Sequence, residues 1–133
     1  MKTSFVKYQN HKHMLLIAIS KAIVALEKEQ TIHLVWVDTS NIRGHFHDKK
    51  NPFSNIEMIE KFIKSEKIAL DKGSITSTSL NKMSNNIKDG DIVIDCFTGA
   101  LYNHNFTNLS WLIHLPLRPY ESEQLSSWYK LKT

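Results

Sequence analysis

Glycine is scarce in this chain of 133 residues: Gly44, Gly73, Gly90 and Gly99 are the whole supply, and no two lie close together. So few cannot write a dinucleotide fingerprint or a phosphate-cradling loop, which excludes the classical nucleotide cofactors. Cysteine is scarcer still. Cys96 stands alone, so an intrachain disulfide and a paired-cysteine metal site are both excluded, and its place inside an apolar run predicts a packed thiol in a reducing, cytoplasmic setting.

Arginine is nearly absent. The 17 basic residues are lysines except for Arg43 and Arg118, and the one adjacent basic pair is Lys49-Lys50. A net charge of +4 and a sequence pI near 9.2 admit nucleic acid as a partner, but scattered lysine is in the first place a means of keeping a surface soluble. Long apolar runs are missing too. Met14 to Ile19 is broken by Ser20-Lys21 before Ala22 to Leu26, too short for a membrane span. Lys2, Lys7 and Lys12 give the stretch a loose likeness to a secretion signal, but no small-x-small cleavage pattern follows, and a buried helix is expected.

What the chain does have is 41% hydrophobic and 10% aromatic residues, enough for one domain over 1–133 with a real core. Phe5 to Tyr8 reads as a short strand and Lys12 to Lys28 as a helix apolar on most faces. The strand Ile32 to Asp38 follows, and then a surface loop, Thr39 to Asn51. Ser54-Asn55-Ile56-Glu57 fits a capping box, and Ile56, Ile59, Phe62, Ile63 and Leu70 recur at helical spacing up to Gly73. Ser74 to Ser79 reads as a short edge strand, and Leu80, Met83 and Ile87 as a short helical stripe. The turn Asp89-Gly90 launches a buried strand, Asp91 to Phe97. Leu109 to Leu115 alternates as a strand that Pro116 and Pro119 end, and Leu125, Trp128 and Tyr129 mark a closing helix. The expected fold is α/β or α+β: a sandwich of a three- to five-stranded sheet, mostly parallel or mixed, with helices packed on it. Strand order is not readable, and an antiparallel pairing of 91–97 with 109–115 stays open.

Two of these apolar runs end alike, in Asp38-Thr39-Ser40-Asn41 and in Asp95-Cys96-Phe97-Thr98. If both strands are parallel in one sheet, the aspartates fall at its carboxyl edge, where open α/β folds bind their ligands. Two carboxylates with Ser40, Asn41 and Thr98 beside them suit Mg²⁺ or Mn²⁺ and an activated water. Asp38-x-Ser40-Asn41 after a hydrophobic strand resembles the first motif of the NYN and PIN-like ribonucleases. The resemblance covers Leu34 to Gly44 and implies that Asp38 helps to bind a catalytic metal while the small polar residues shape the site. Those enzymes gather three or four acidic residues and begin near this strand, whereas here a long helix precedes it. The competing reading is that each aspartate caps the turn that follows it.

Asp91 to Gly99 also resembles the nucleotide-binding motif of amino-group DNA methyltransferases, with Asn51-Pro52-Phe53 in the manner of their catalytic motif. Leu101 stands where that motif needs its second glycine, the second proline is missing and the chain is too short, so the match is set aside. Among seven histidines there are two H-x-H pairs, His11-Lys12-His13 and His45-Phe46-His47, the latter followed by Asp48. On an extended segment His45 and His47 face the same way and suit a transition metal, but no further regularly spaced ligand completes the set.

Two functions follow, in this order. The first is a non-catalytic binding or regulatory module acting through a protein or self-association interface, with no cofactor. The alternative is a divalent-metal-dependent hydrolase on nucleic acid, with Asp38 and Asp95 as ligands and catalytic groups, Ser40, Asn41 and Thr98 supporting them, and Mg²⁺ or Mn²⁺ as cofactor.

Overall fold

The computed structural model describes residues 2–37, 42–46, 55–96, 108–116, 118–121, 123 and 125. Its elements are β1 (Lys2–Phe5), α1 (His11–Ala25), β2 (Thr31–Trp36), α2 (Ile42–His45), α3 (Ile56–Ile63), β3 (Ile68–Ala69) and β4 (Ser74–Ser79). A 3₁₀ turn (Leu80–Lys82), α4 (Met83–Asn86), β5 (Ile92–Asp95) and β6 (Trp111–His114) follow. The strands form one six-stranded sheet in the order β1-β6-β5-β2-β4-β3. All pairings are parallel except that of β3 with β4. The fold is therefore α/β with a mixed sheet, one strand richer than the upper expectation. The antiparallel alternative for β5 and β6 is overturned, since Ile92 pairs with Trp111 and Asp95 with His114 in parallel register.

Central parallel strands are covered on both faces and should be buried throughout. Every residue of β2, β5 and β6 is buried. On one face Ile32, Leu34 and Trp36 join Ile92, Ile94, Trp111 and Ile113 in a single cluster with Met14, Leu15, Ala18 and Ile19 of α1 and with Ile59 and Phe62 of α3. Among the described residues the other face has a small apolar cluster, Val35, Val93, Leu109 and Leu112, with Leu80 and Ile87 packed on it. Strand residues alternate between faces, so His33, Asp95 and His114 fall on this second face with Val35 and Leu112, and it is the polar one.

Helix α1 starts where Asn10 accepts a hydrogen bond from the Lys12 amide at 3.0 Å. It ends at Leu26, whose amide donates to the Ile23 carbonyl at 3.2 Å. Helix α3 is capped by Asn55, not Ser54: the Asn55 side chain accepts from the Glu57 amide at 2.7 Å. The helix also stops earlier than its periodicity suggests, at Ser65 with φ 57°. Gly73 does not end it. Leu70 and Gly73 belong instead to the β3–β4 turn, where Leu70 donates to the Gly73 carbonyl at 3.0 Å. Gly73 has φ +62°, and a Cβ there would lie 2.3 Å from the Gln30 carbonyl oxygen, so only glycine fits. The neighbouring β3 makes Ser74–Ser79 an interior strand and not an edge.

The stretch read as a surface loop, Thr39 to Asn51, contains α2. Its Ile42 and the following Phe46 are fully buried, so this segment contributes to the core. Toward the end of the chain residues 119–121, 123 and 125 are helical and Leu125 is buried, in line with a closing helix; Trp128 and Tyr129 lie outside the described residues.

Candidate functional site at the carboxyl edge

The parallel arrangement fixes where loops converge. From β2 the chain crosses to the edge strand β3 and turns back into β4, both on one side, whereas from β5 it crosses to β6 on the other, so adjacent strands β2 and β5 send their connections in opposite directions. Such a switch point opens a crevice at the carboxyl ends of the two strands. Val35 is in register with Asp95, and Val37, the residue before Asp38, is exposed. Asp38, Ser40, Asn41 and Thr98 lie outside the described residues, as do His47 and Asp48.

Asp95 is described, and it is fully buried. His114 Nδ1–H donates to its Oδ2 at 2.8 Å, and neither side chain has exposed surface. The backbone ties the same strand ends together: Cys96 donates to the Val35 carbonyl and Leu115 to the Asp95 carbonyl, each at 3.0 Å. Cys96 is buried beside Asp95. Burial, and then that carboxylate, pushes its thiol well up, so it stays protonated and inert.

On the α1 side the carboxyl edge carries stacked rings. His11 and His45 centroids are 4.2 Å apart, His45 and Trp36 4.9 Å, Trp36 and Phe46 6.4 Å, and Phe46 and Phe62 5.5 Å. The imidazoles here serve as packing surface. His11 Nε2 and Trp36 Nε1 are buried without a hydrogen-bond partner among the described residues. The extended segment on which His45 and His47 would face the same way is not found at His45, which closes α2, and the other pair starts with His11 at the opening of α1. Within α1, residues two apart point to different sides, and indeed His11 is partly buried while His13 is exposed. Among the described residues no group of three or more His, Cys, Asp and Glu side chains is placed to hold a metal ion.

Burial, and next the His11 imidazole, holds His45 down to about 4 from the ordinary 6.5. The unfolded chain therefore binds this proton more readily, and the stability present above pH 6.5 falls as the pH drops toward about 4. We predict that the urea midpoint declines across that window and that H45F, which keeps a ring but cannot take up a proton, declines less. A wild-type and variant profile of equal slope would show that His45 does not contribute.

A second buried polar network sits nearer the amino edge, where the residues alone had not placed one. His33 Nε2–H donates to Asp91 Oδ2 at 2.9 Å, and His33 Nδ1 accepts from the Thr78 hydroxyl at 2.9 Å. Asp91 also accepts from the Thr31 amide at 3.1 Å and from the Lys88 amide at 3.0 Å. Burial lowers the His33 pKa, outweighs the opposing hydrogen bond to Asp91 and so favours the neutral ring. The order carboxylate, imidazole, hydroxyl is that of a nucleophilic triad, but His33 and Thr78 are each only 1% exposed. The network therefore ties three strands together and reaches no substrate.

No helix among the described residues is long and apolar enough to cross a membrane. Comparisons with protein-family models, with curated proteins and with solved structures found no match.

Proposed function

We propose that this chain is a non-catalytic binding module that meets a protein partner, a second copy of itself in the first instance, through the carboxyl edge of its sheet. The observation that carries this reading is where the exposed large apolar side chains lie. Among the described residues there are five: Tyr8, Val24, Val37, Ile56 and Tyr120. Tyr8, Val37 and Tyr120 sit on the segments that leave β1, β2 and β6 at their carboxyl ends, and Ile56, 76% exposed, opens α3 in the connection from β2 to β3. Four of the five thus lie on connections that follow the carboxyl ends of parallel strands, as expected of a surface at that edge that is covered in the working form. Asp95, held by His114 beneath that edge, supports its shape.

Sedimentation velocity over a concentration series tests this directly. We predict that the wild-type chain associates and that V37E/I56E stays monomeric with an unchanged circular dichroism spectrum. A wild-type chain that is monomeric throughout, or a double variant that associates equally well, would count against it.

The switch point between β2 and β5 favours one further reading, a divalent-metal-dependent hydrolase on nucleic acid. In it Asp38 and Asp95 hold Mg²⁺ or Mn²⁺ with Ser40, Asn41 and Thr98 beside them, and Asp95 must turn from His114 to do so. This reading predicts manganese-dependent cleavage of a single-stranded oligonucleotide that falls to background in D38N. Wild-type protein without manganese-dependent cleavage would dismiss it.

A further inference from the structure

Between the edge strand β1 and helix α1 runs a groove of about 500 Å³, away from the β2–β5 switch point. Lys2, Lys7 and Lys21 line it, all three exposed, and among the described residues no carboxylate does. Its lining is mixed and more polar than apolar, with Ile17 on the helix side and the largely buried Trp111 and Ile113 on the sheet side. The Lys2 ammonium lies 4.0 Å from the centroid of the Trp111 ring, whose Nε1–H donates to Ser4 Oγ at 3.0 Å. Cation–π contact thus holds one positive charge at the groove before any ligand arrives.

We infer that this groove binds the phosphate backbone of single-stranded nucleic acid, without regard to sequence, through Lys2, Lys7 and Lys21. Charge complementarity calls for a polyanion, and a mixed lining, with Ile17 among the lysines, Ser4 and Gln9, suits a strand in which sugar and base surfaces alternate with phosphates. A groove of this size takes a short stretch of single strand but not a duplex. Sequence is not read, because the chain's two arginines, Arg43 and Arg118, are not among the lining residues and lysine meets phosphate as a point charge. Lys2 covers the Trp111 face, so base stacking on that ring is not required.

The inference does not depend on self-association or on hydrolysis, and binding is measured in EDTA. Fluorescence polarisation of labelled oligothymidylate and of a mixed-sequence strand should give equal affinities. Three phosphate contacts on a single strand should weaken binding about a hundredfold for a tenfold rise in salt, a log–log slope of about 2. K2Q/K7Q/K21Q should bind much more weakly and lose most of that slope. K28Q/K64Q/K82Q, which removes the same charge from exposed positions elsewhere, should keep it. Equal weakening in the two triple variants would overturn the groove and leave only general attraction to a basic surface. Absence of wild-type binding at low salt, or competition by oligoglutamate as strong as by unlabelled strand, would overturn nucleic acid as its ligand.

Discussion

Replacing Asp91 by alanine should lower the unfolding free energy by about 3–5 kcal/mol, the usual cost of removing one partner from a buried ionic or hydrogen-bonded network. Three donors lose their acceptor together: the Thr31 amide, the Lys88 amide and His33 Nε2–H. Asp91 is 5% exposed, so water can replace little of what is lost. D91N keeps one acceptor oxygen and should recover part of the loss. The network also fixes register, because Gln30 Nε2 donates to the Gly90 carbonyl at 2.9 Å just before the Thr31–Asp91 bond, pinning the start of β2 to the start of β5. Urea unfolding followed by circular dichroism measures the effect. A D91A chain within about 1 kcal/mol of wild type, the worth of one ordinary hydrogen bond, would mean that the network does not govern stability.

Phe62 to alanine should cost a comparable amount, about 3–5 kcal/mol, through lost burial and the cavity left behind. Phe62 is 1% exposed, packs 5.5 Å from the Phe46 centroid and fixes α3 onto the sheet through its carbonyl, which accepts from Ser77 Oγ. A helix of eight residues has little stability alone, so its two buried residues, Ile59 and Phe62, hold it in place. F62A should therefore also raise the rate of tryptic cleavage at Lys61 and Lys64, and F62L should lose less than about 1.5 kcal/mol. Slow cleavage in F62A would show that α3 is anchored by something other than Phe62.

Helix α1 and strands β2, β4, β5 and β6 were legible in the residues because apolar runs bounded by turn signals leave few alternatives. Strand β3 was hidden because Leu70 continues the helical spacing of Ile56, Ile59 and Ile63; the chain breaks that spacing at Ser65, a residue with no sequence mark of a helix end. Helix α2 was hidden by its charged and histidine neighbours, which mask two buried residues, Ile42 and Phe46. Parallel pairing and strand order depend on long-range contacts that no local pattern encodes. At the candidate site, the sequence pointed to Asp95 at a strand end but not to its bond with His114, although a signal existed. His33, Asp95 and His114 each interrupt an otherwise apolar strand, and a polar side chain in such a place needs a buried partner.

Amide hydrogen exchange at low and at high protein concentration tests the central claim, that the carboxyl edge is the surface by which this chain works. Association there should slow exchange in peptides around Tyr8, Val37, Ile56 and Tyr120 and leave the end of α1 around Val24, 87% exposed, unchanged. Slowing confined to the Val24 segment would contradict the claim and move the interface to the outer face of α1, and exchange that ignores concentration would remove self-association altogether.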